Sequence, residues 1–189
     1  DNLSVGTKED LSEVCNFTEQ NTKSSVNSLI TNTGSSNQVE LEVGDIRDID
    51  TCIKSCEDVD TVIHLAANTG VAPSVEKPAL DMESNVIGTF NLLEASRKNN
   101  INRFIFASSG APIGETEPPI HEEKAPRPVS PYGASKLAGE GYCSAYCRTF
   151  GIKTVSLRFG NVYGPLSTHK NSVVAKFIKQ ALDGEALEI

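Results

Sequence analysis

Three short apolar runs, "DTVIHLAA" (60–67), "INRFIFASS" (101–109) and "KTVSLRFG" (153–160), are each separated from the next by a segment long enough for a helix. A continuous apolar run of this length reads as a strand covered on both faces. Strands kept apart by helices cannot pair as tight hairpins; they give βα units and a mostly parallel sheet. The segments between them carry the matching signals. "IDTCIKSCEDV" (49–59) reads as a short amphipathic helix. From Ala79 to Asn99 the apolar residues Met82, Val86, Phe90 and Leu93 recur at helical spacing, and "RKNN" closes that helix with positive charge. Upstream, "QVELEV" (38–43) alternates like a strand and stops at Gly44-Asp45, and near the end "NSVVAKFIKQALDGE" reads as a helix ending at Gly184. Residues 12–37 are polar, rich in Ser, Thr and Asn, and read as a surface excursion.

The composition, 38% hydrophobic and 22% charged over 189 residues, is that of a globular chain with a real core. A net charge of −8 repels nucleic acid and anionic membranes, and no cluster of Lys and Arg interleaved with aromatics offsets it. No apolar run reaches the roughly 20 residues of a membrane span. The expected setting is therefore cytoplasmic, with neither nucleic acid nor membrane as partner. Cys52/Cys56 and Cys143/Cys147 are spaced i, i+4 in helical segments, with Cys15 left over. This pattern suits buried packing residues better than a zinc site, so no metal is expected.

Ligands of parallel sheets gather at the carboxyl ends of the strands. Gly44-Asp45, Ala66-Ala67-Asn68, Ser108-Ser109-Gly110 and Phe159-Gly160-Asn161 all fall there. Beside them "SPYGASKLAGEGY" (130–142) opens a helix, with Ser130 as N-cap and Pro131 in its first turn. At about 100° per residue Tyr132 and Lys136 share one face of that helix. They are either a proton-transfer couple or two ordinary neighbours on one turn. In the first case an ammonium near the phenol favours phenolate, and a serine hydroxyl such as Ser109 holds the substrate oxygen.

The blocks "DNLSVG", "GDIRD", "VIHLAANTGVAPSVEKP", "NVIGTFNLLEA", "FIFASSG", "SPYGASKLAGE" and "LRFGNVYGP" occur in this order. Through them the chain resembles the extended short-chain dehydrogenase/reductase family, in its NAD-dependent sugar-nucleotide epimerase/dehydratase branch. The resemblance implies a Rossmann-like parallel sheet with flanking helices, here without the first two strands, NAD as cofactor and a nucleotide sugar as substrate. It also implies that Tyr132 is the acid/base tyrosine, that Lys136 tunes it and holds the nicotinamide ribose, and that Ser109 supplies the hydroxyl. Asp1 and Asn2 match contacts to the adenosine ribose, and Asp45 and Ile46 match contacts to adenine. Leu65, Ala66 and Ala67 match the wall along the dinucleotide, Phe159 a position near the nicotinamide, and Asn161 a contact to the sugar-nucleotide diphosphate. Asn85 falls in the helix block, where cofactor support and structure are hard to separate.

Within the branch, 4,6-dehydratases carry an Asp-Glu pair after the serine and glucuronate decarboxylases carry the Glu. Gly110 and Ala111 stand there instead. The resemblance therefore points to 4-epimerisation of a UDP-hexose through a transient 4-keto sugar. A reductase, dehydratase or decarboxylase of the family, or a non-catalytic binding module, is the alternative. Ile113 replaces the tyrosine usual in this block, which bears on substrate contacts. No Gly-x-x-Gly-x-x-Gly loop occurs in the chain. The expectation is thus a partial NAD-binding domain, 1–189, lacking most of the substrate domain, inactive alone, and part of a longer enzyme that dimerises.

Overall fold

The computed structural model describes residues 1–19, 39–162, 164 and 173–186. The chain divides into one unit spanning Asp1–Arg158 and another spanning Phe159–Ile189. Helix α1 (Lys8–Ser12) is held by a reciprocal cap between Thr7 and Asp10. Strand β1 (Phe17–Glu19) pairs in parallel with β2 (Val39–Leu41), Phe17 opposite Val39. Helix α2 (Ile49–Ser55), capped by Asp48, precedes β3 (Val62–His64). Then come α3 (Val71–Glu76), α4 (Pro78–Met82), a π turn (Glu83–Ile87) and α5 (Gly88–Lys98). Strand β4 (Arg103–Ser109), helix α6 (Pro131–Phe150) and strand β5 (Lys153–Phe159) follow. Strands β3, β4 and β5 lie in that order in one sheet, with β3 and β4 parallel and His64 opposite Phe106. In the second unit, α7 spans Val173–Asp183 and ends at Gly184 with φ 71°.

The core of the first unit lies on one face of β4. Phe104 and Phe106 point to that face and meet Leu93 of α5, Cys143 and Tyr146 of α6, and Ile152. Beside them Cys52 and Cys56 of α2 pack with Ala95 and Ile101. The paired cysteines that include Cys52, Cys56 and Cys143 thus serve as small apolar residues. Helix α6 forms as its sequence prescribes. Ser130 accepts from the Gly133 amide at 3.1 Å, Pro131 occupies the first turn, and Gly151 closes the helix with φ 75°. The helix lies so close to β4 that a Cβ on Gly139 would come within 2.5 Å of the Phe106 ring.

Several expectations need revision. The helix read from 79 to 99 is interrupted by the π turn, and Met82, placed on its apolar stripe, is 48% exposed, whereas the neighbouring Asp81 is buried. Helix α3 was not foreseen; it is six residues long with Pro73 inside it. Within 12–37, Phe17–Glu19 forms a short strand with Thr18 and Glu19 exposed, while 20–37 lies outside the described residues. The reading of strands covered on both faces holds for one face only. Ile63, Leu65, Val155 and Leu157 are all at least 40% exposed. Helices α5 and α6 pack on the side carrying Phe104 and Phe106, and the alternate residues of β3 and β5 point away from them.

The close approach at Gly139 gives a test of sign. Gly139→Val should destabilise by about 2 kcal/mol through overpacking against Phe106. Gly141→Ala, two residues on, where a Cβ meets nothing within 4 Å, should stabilise by about 0.5–1 kcal/mol. Urea unfolding of both variants measures the pair.

Candidate functional site

Tyr132 and Lys136 rise from the first two turns of α6 beside the carboxyl end of β4, and the structure brings them to Ser109. Lys136 is 3% exposed. Its Nζ donates to the Ala107 carbonyl at 2.8 Å and stands 5.0 Å from the centre of the Phe106 ring and 5.9 Å from that of Tyr132. Burial lowers this ammonium to about 8, and the Asp81 carboxylate pulls the other way. The Ser109 hydroxyl lies within hydrogen-bonding reach of the Tyr132 phenol and accepts from the Ala111 amide at 3.2 Å.

The expected lowering of the Tyr132 phenol is not met. Burial pushes it above its ordinary value, the Ser109 hydroxyl opposes that shift, and the charge on Asp81 adds to it. One N–H of the Lys136 ammonium is spent on Ala107 O. In this arrangement Tyr132 holds its proton.

Behind the couple lies a buried polar network that the apolar periodicity did not reveal. The two N–H groups of the Asn85 amide are shared among three acceptors, Asp81 Oδ1 and Asn68 O at 2.9 Å and Ser135 Oγ at 3.1 Å, and its oxygen accepts from Asn68 N at 2.8 Å. Ser135 donates on to the Tyr132 carbonyl at 3.0 Å, and the Tyr132 amide donates to Ser74 Oγ at 3.1 Å. Asp81, Asn85 and Thr89 stand four apart, and that polar spacing was the available signal. Thr89 donates to Asn85 O at 2.6 Å, which leaves its oxygen to accept from His64 Nε2 at 2.8 Å. His64 is a packed core histidine, brought by burial to about 3 and therefore neutral. Farther along α6, Glu140 ties the helix to the sheet. It accepts from Ser108 Oγ at 2.6 Å and from both the Nε and an Nη of Arg158. Burial raises this carboxyl, and the bonds from Arg158 and Ser108 outweigh burial to give a net lowering.

The residues matched to cofactor contacts form two groups in the first unit. Asp1, Asn2 and Asp45 meet: Gly44 N donates to Asp1 O at 3.0 Å and Asn2 Nδ2 donates to Asp45 Oδ2 at 3.3 Å. Arg47 grips the Asp45 carboxylate through two nitrogens, at 3.0 and 2.8 Å, and holds its carboxyl well below the usual range. Ile46 is fixed because Asn91 donates to its carbonyl at 2.9 Å and its side chain fills the space a Cβ on Gly88 would need. Asp45, Arg47, Asp48, Glu83 and Ile87 line an open depression of about 480 Å³. Leu65, Ala66 and Ala67 follow β3, with Leu65 65% exposed. Next to them Asn68 Nδ2 is buried and meets no hydrogen-bond partner among the described residues. Phe159 and Asn161 belong to the second unit, where both are exposed. Ile113 is 2% exposed and faces the core, so it is a packing residue in this structure.

Among the described residues no helix is long and apolar enough to cross a membrane. Residues 7–189 match the model of the NAD dependent epimerase/dehydratase family. A putative UDP-glucose 4-epimerase of Methanocaldococcus jannaschii is 41% identical over 163 residues, covering 82% of this chain and 53% of that protein. The crystal structure of Thermus thermophilus UDP-glucose 4-epimerase in complex with NAD is 39% identical with a TM-score of 0.73, over 80% of this chain and 51% of that one. The UDP-glucose 4-epimerase of Thermotoga maritima with UDP-glucose is 36% identical with a TM-score of 0.74, over 81% and 52%. These neighbours bear out the Rossmann-like fold, and the chain spans about half the length of the relatives it matches. On this match and this identity, the chain belongs to the NAD dependent epimerase/dehydratase family.

Proposed function

We propose that the protein containing this chain is an NAD-dependent 4-epimerase of a UDP-hexose, acting through a 4-keto sugar. The observation that carries the reading is the convergence of Ser109, Tyr132 and Lys136 at the end of β4, with no carboxylate at Gly110 or Ala111 to serve dehydration. The residues present suit the cofactor at both ends. Lys136 spends one N–H on Ala107 O and keeps the others for a ribose. The small, accessible Ala66 and Ala67 and the unpaired Asn68 amide offer a wall and a donor. Asp45 edges an open depression on the adenine side, next to Asn2.

When bound, NAD accepts a hydride from the sugar and returns it to the opposite face of the ketone. The chain's own residues handle the proton and the orientation. Once its own proton has passed to solvent, the Tyr132 phenolate takes the proton of the C4 hydroxyl through Oη as that carbon is oxidised, and the phenol returns it on reduction. Ser109 Oγ holds the C4 oxygen in reach of the phenol. Lys136 carries positive charge beside the phenol and toward the ribose, which favours phenolate once the phenol is engaged. Asn161 is assigned to the diphosphate and Phe159 to the nicotinamide side. Because these 189 residues contain no Gly-rich phosphate loop, they are proposed not to turn over alone, and the whole protein is proposed to act as a cytoplasmic homodimer.

The test is interconversion of UDP-glucose and UDP-galactose by the full gene product with NAD⁺, alongside calorimetric titration of NAD⁺. Conversion is expected, and a protein that binds NAD⁺ but interconverts no UDP-hexose overturns the reading. Ser109→Ala and Tyr132→Phe should each lower turnover about 10²–10⁴-fold while leaving NAD⁺ affinity within about twofold. Lys136→Met should weaken NAD⁺ binding about tenfold at pH 7. Since the Lys136 ammonium loses its proton at about 8, wild-type affinity should fall as pH rises through that value. The Lys136→Met protein should show no such fall.

A further inference from the structure

Among the described residues Lys136 is the one buried ammonium and Asp81 the one buried carboxylate, exposed by 3% and 1% respectively. A charge sealed from water is stable only if an opposite charge or several polar groups answer it. Lys136 has the Ala107 carbonyl and the faces of two rings. Asp81 has the Asn85 amide. The two charges make no direct ion pair; α4 packs against α6, and the Asn85 amide bonded to Asp81 also reaches the hydroxyl of Ser135, the residue before Lys136, which donates to the Tyr132 carbonyl. The other titratable groups around Lys136 are Tyr132 on its own helix and neutral His64 on β3, neither of which is an anion in this structure.

We propose that Asp81 is a positioning residue of the proton-transfer couple, its carboxylate fixed by Asn85 as the buried counter-ion of the Lys136 ammonium. The inference rests on the reading of Tyr132 and Lys136 as that couple and assigns a part to a side chain that touches neither. The sign follows from the charges. An anion at Asp81 favours the protonated form of both neighbours, so it keeps Lys136 cationic and makes Tyr132 hold its proton harder. The burial of Lys136 works in the opposite direction on the lysine. Asp81 thereby sets the range of pH over which the couple has an ammonium beside a phenol.

The test is nuclear magnetic resonance titration of the 189-residue chain with ¹³C-labelled lysine and tyrosine, the signals assigned through Lys136→Arg and Tyr132→Phe. In Asp81→Asn, which keeps an oxygen for Asn85 and removes the charge, the proton affinity of Lys136 should fall about threefold or more, and that of Tyr132 should fall with it. A folded Asp81→Asn chain whose Lys136 titrates where the wild type does overturns the proposal. A purely structural Asp81 would alter the melting temperature and leave both midpoints in place. Neither readout needs cofactor or sugar. A failure of the epimerase reading would therefore leave the charge coupling measurable, and a failure of the coupling would leave the epimerase assay standing.

Discussion

Burying an ammonium against two aromatic rings is costly unless the surroundings are fixed to suit it, and the arrangement around Lys136 follows from that constraint. The Ala107 carbonyl can accept from Nζ only because α6 lies almost on top of β4, and α6 lies there because Gly139 presents no Cβ to Phe106. Ser130, Pro131 and Gly151 fix where that helix starts and stops, so Tyr132 and Lys136 reach the end of the strand rather than its middle. Glu140, gripped by Arg158 and Ser108, holds the next turn down on β4 and β5. The distances among Ser109, Tyr132 and Lys136 are thus consequences of how one helix is seated.

The second dependence runs through Asn85. Its side chain satisfies both the amide and the carbonyl of Asn68, in the loop after β3. The same amide reaches Asp81 and Ser135, so the loop after β3, the helix entering α5 and helix α6 share one connector. Unsatisfied buried backbone costs about 1–3 kcal/mol per group. That cost explains why so polar a cluster persists between two apolar core clusters.

Much of this was legible in the sequence, and the reasons for the gaps are physical. The strands 62–64, 103–109 and 153–159 and the helix from Pro131 announce themselves through apolar runs, a Ser-Pro start and a terminal glycine. The chemical groups of the site were readable because Ser109, Tyr132 and Lys136 stand in recognisable blocks. Asp81 was missed because a period of 3.6 assigns the inward face to Met82, and only the π turn brings Asp81 round instead. Contacts such as Tyr132 N to Ser74 Oγ join residues 58 apart and leave no local trace. Nor could periodicity tell that the apolar residues Ile63, Leu65, Val155 and Leu157 would point away from α5 and α6. The raised Tyr132 phenol is a matter of burial, which a spacing of four residues does not encode.

The π turn at Glu83–Ile87 has a consequence for how the gene can change. A π turn accommodates one residue more than the α-helical turn it replaces. Loss of a single codon there would restore an unbroken α-helix and rotate everything before it by about 100° relative to α5. Asp81 would leave the interior, and an apolar neighbour would take its place. Residues 82–84 can therefore exchange their side chains freely compared with what any change in their number would do. For this stretch the count of residues carries the information, and an in-frame deletion of one would be read by the site as a substitution of its buried charge.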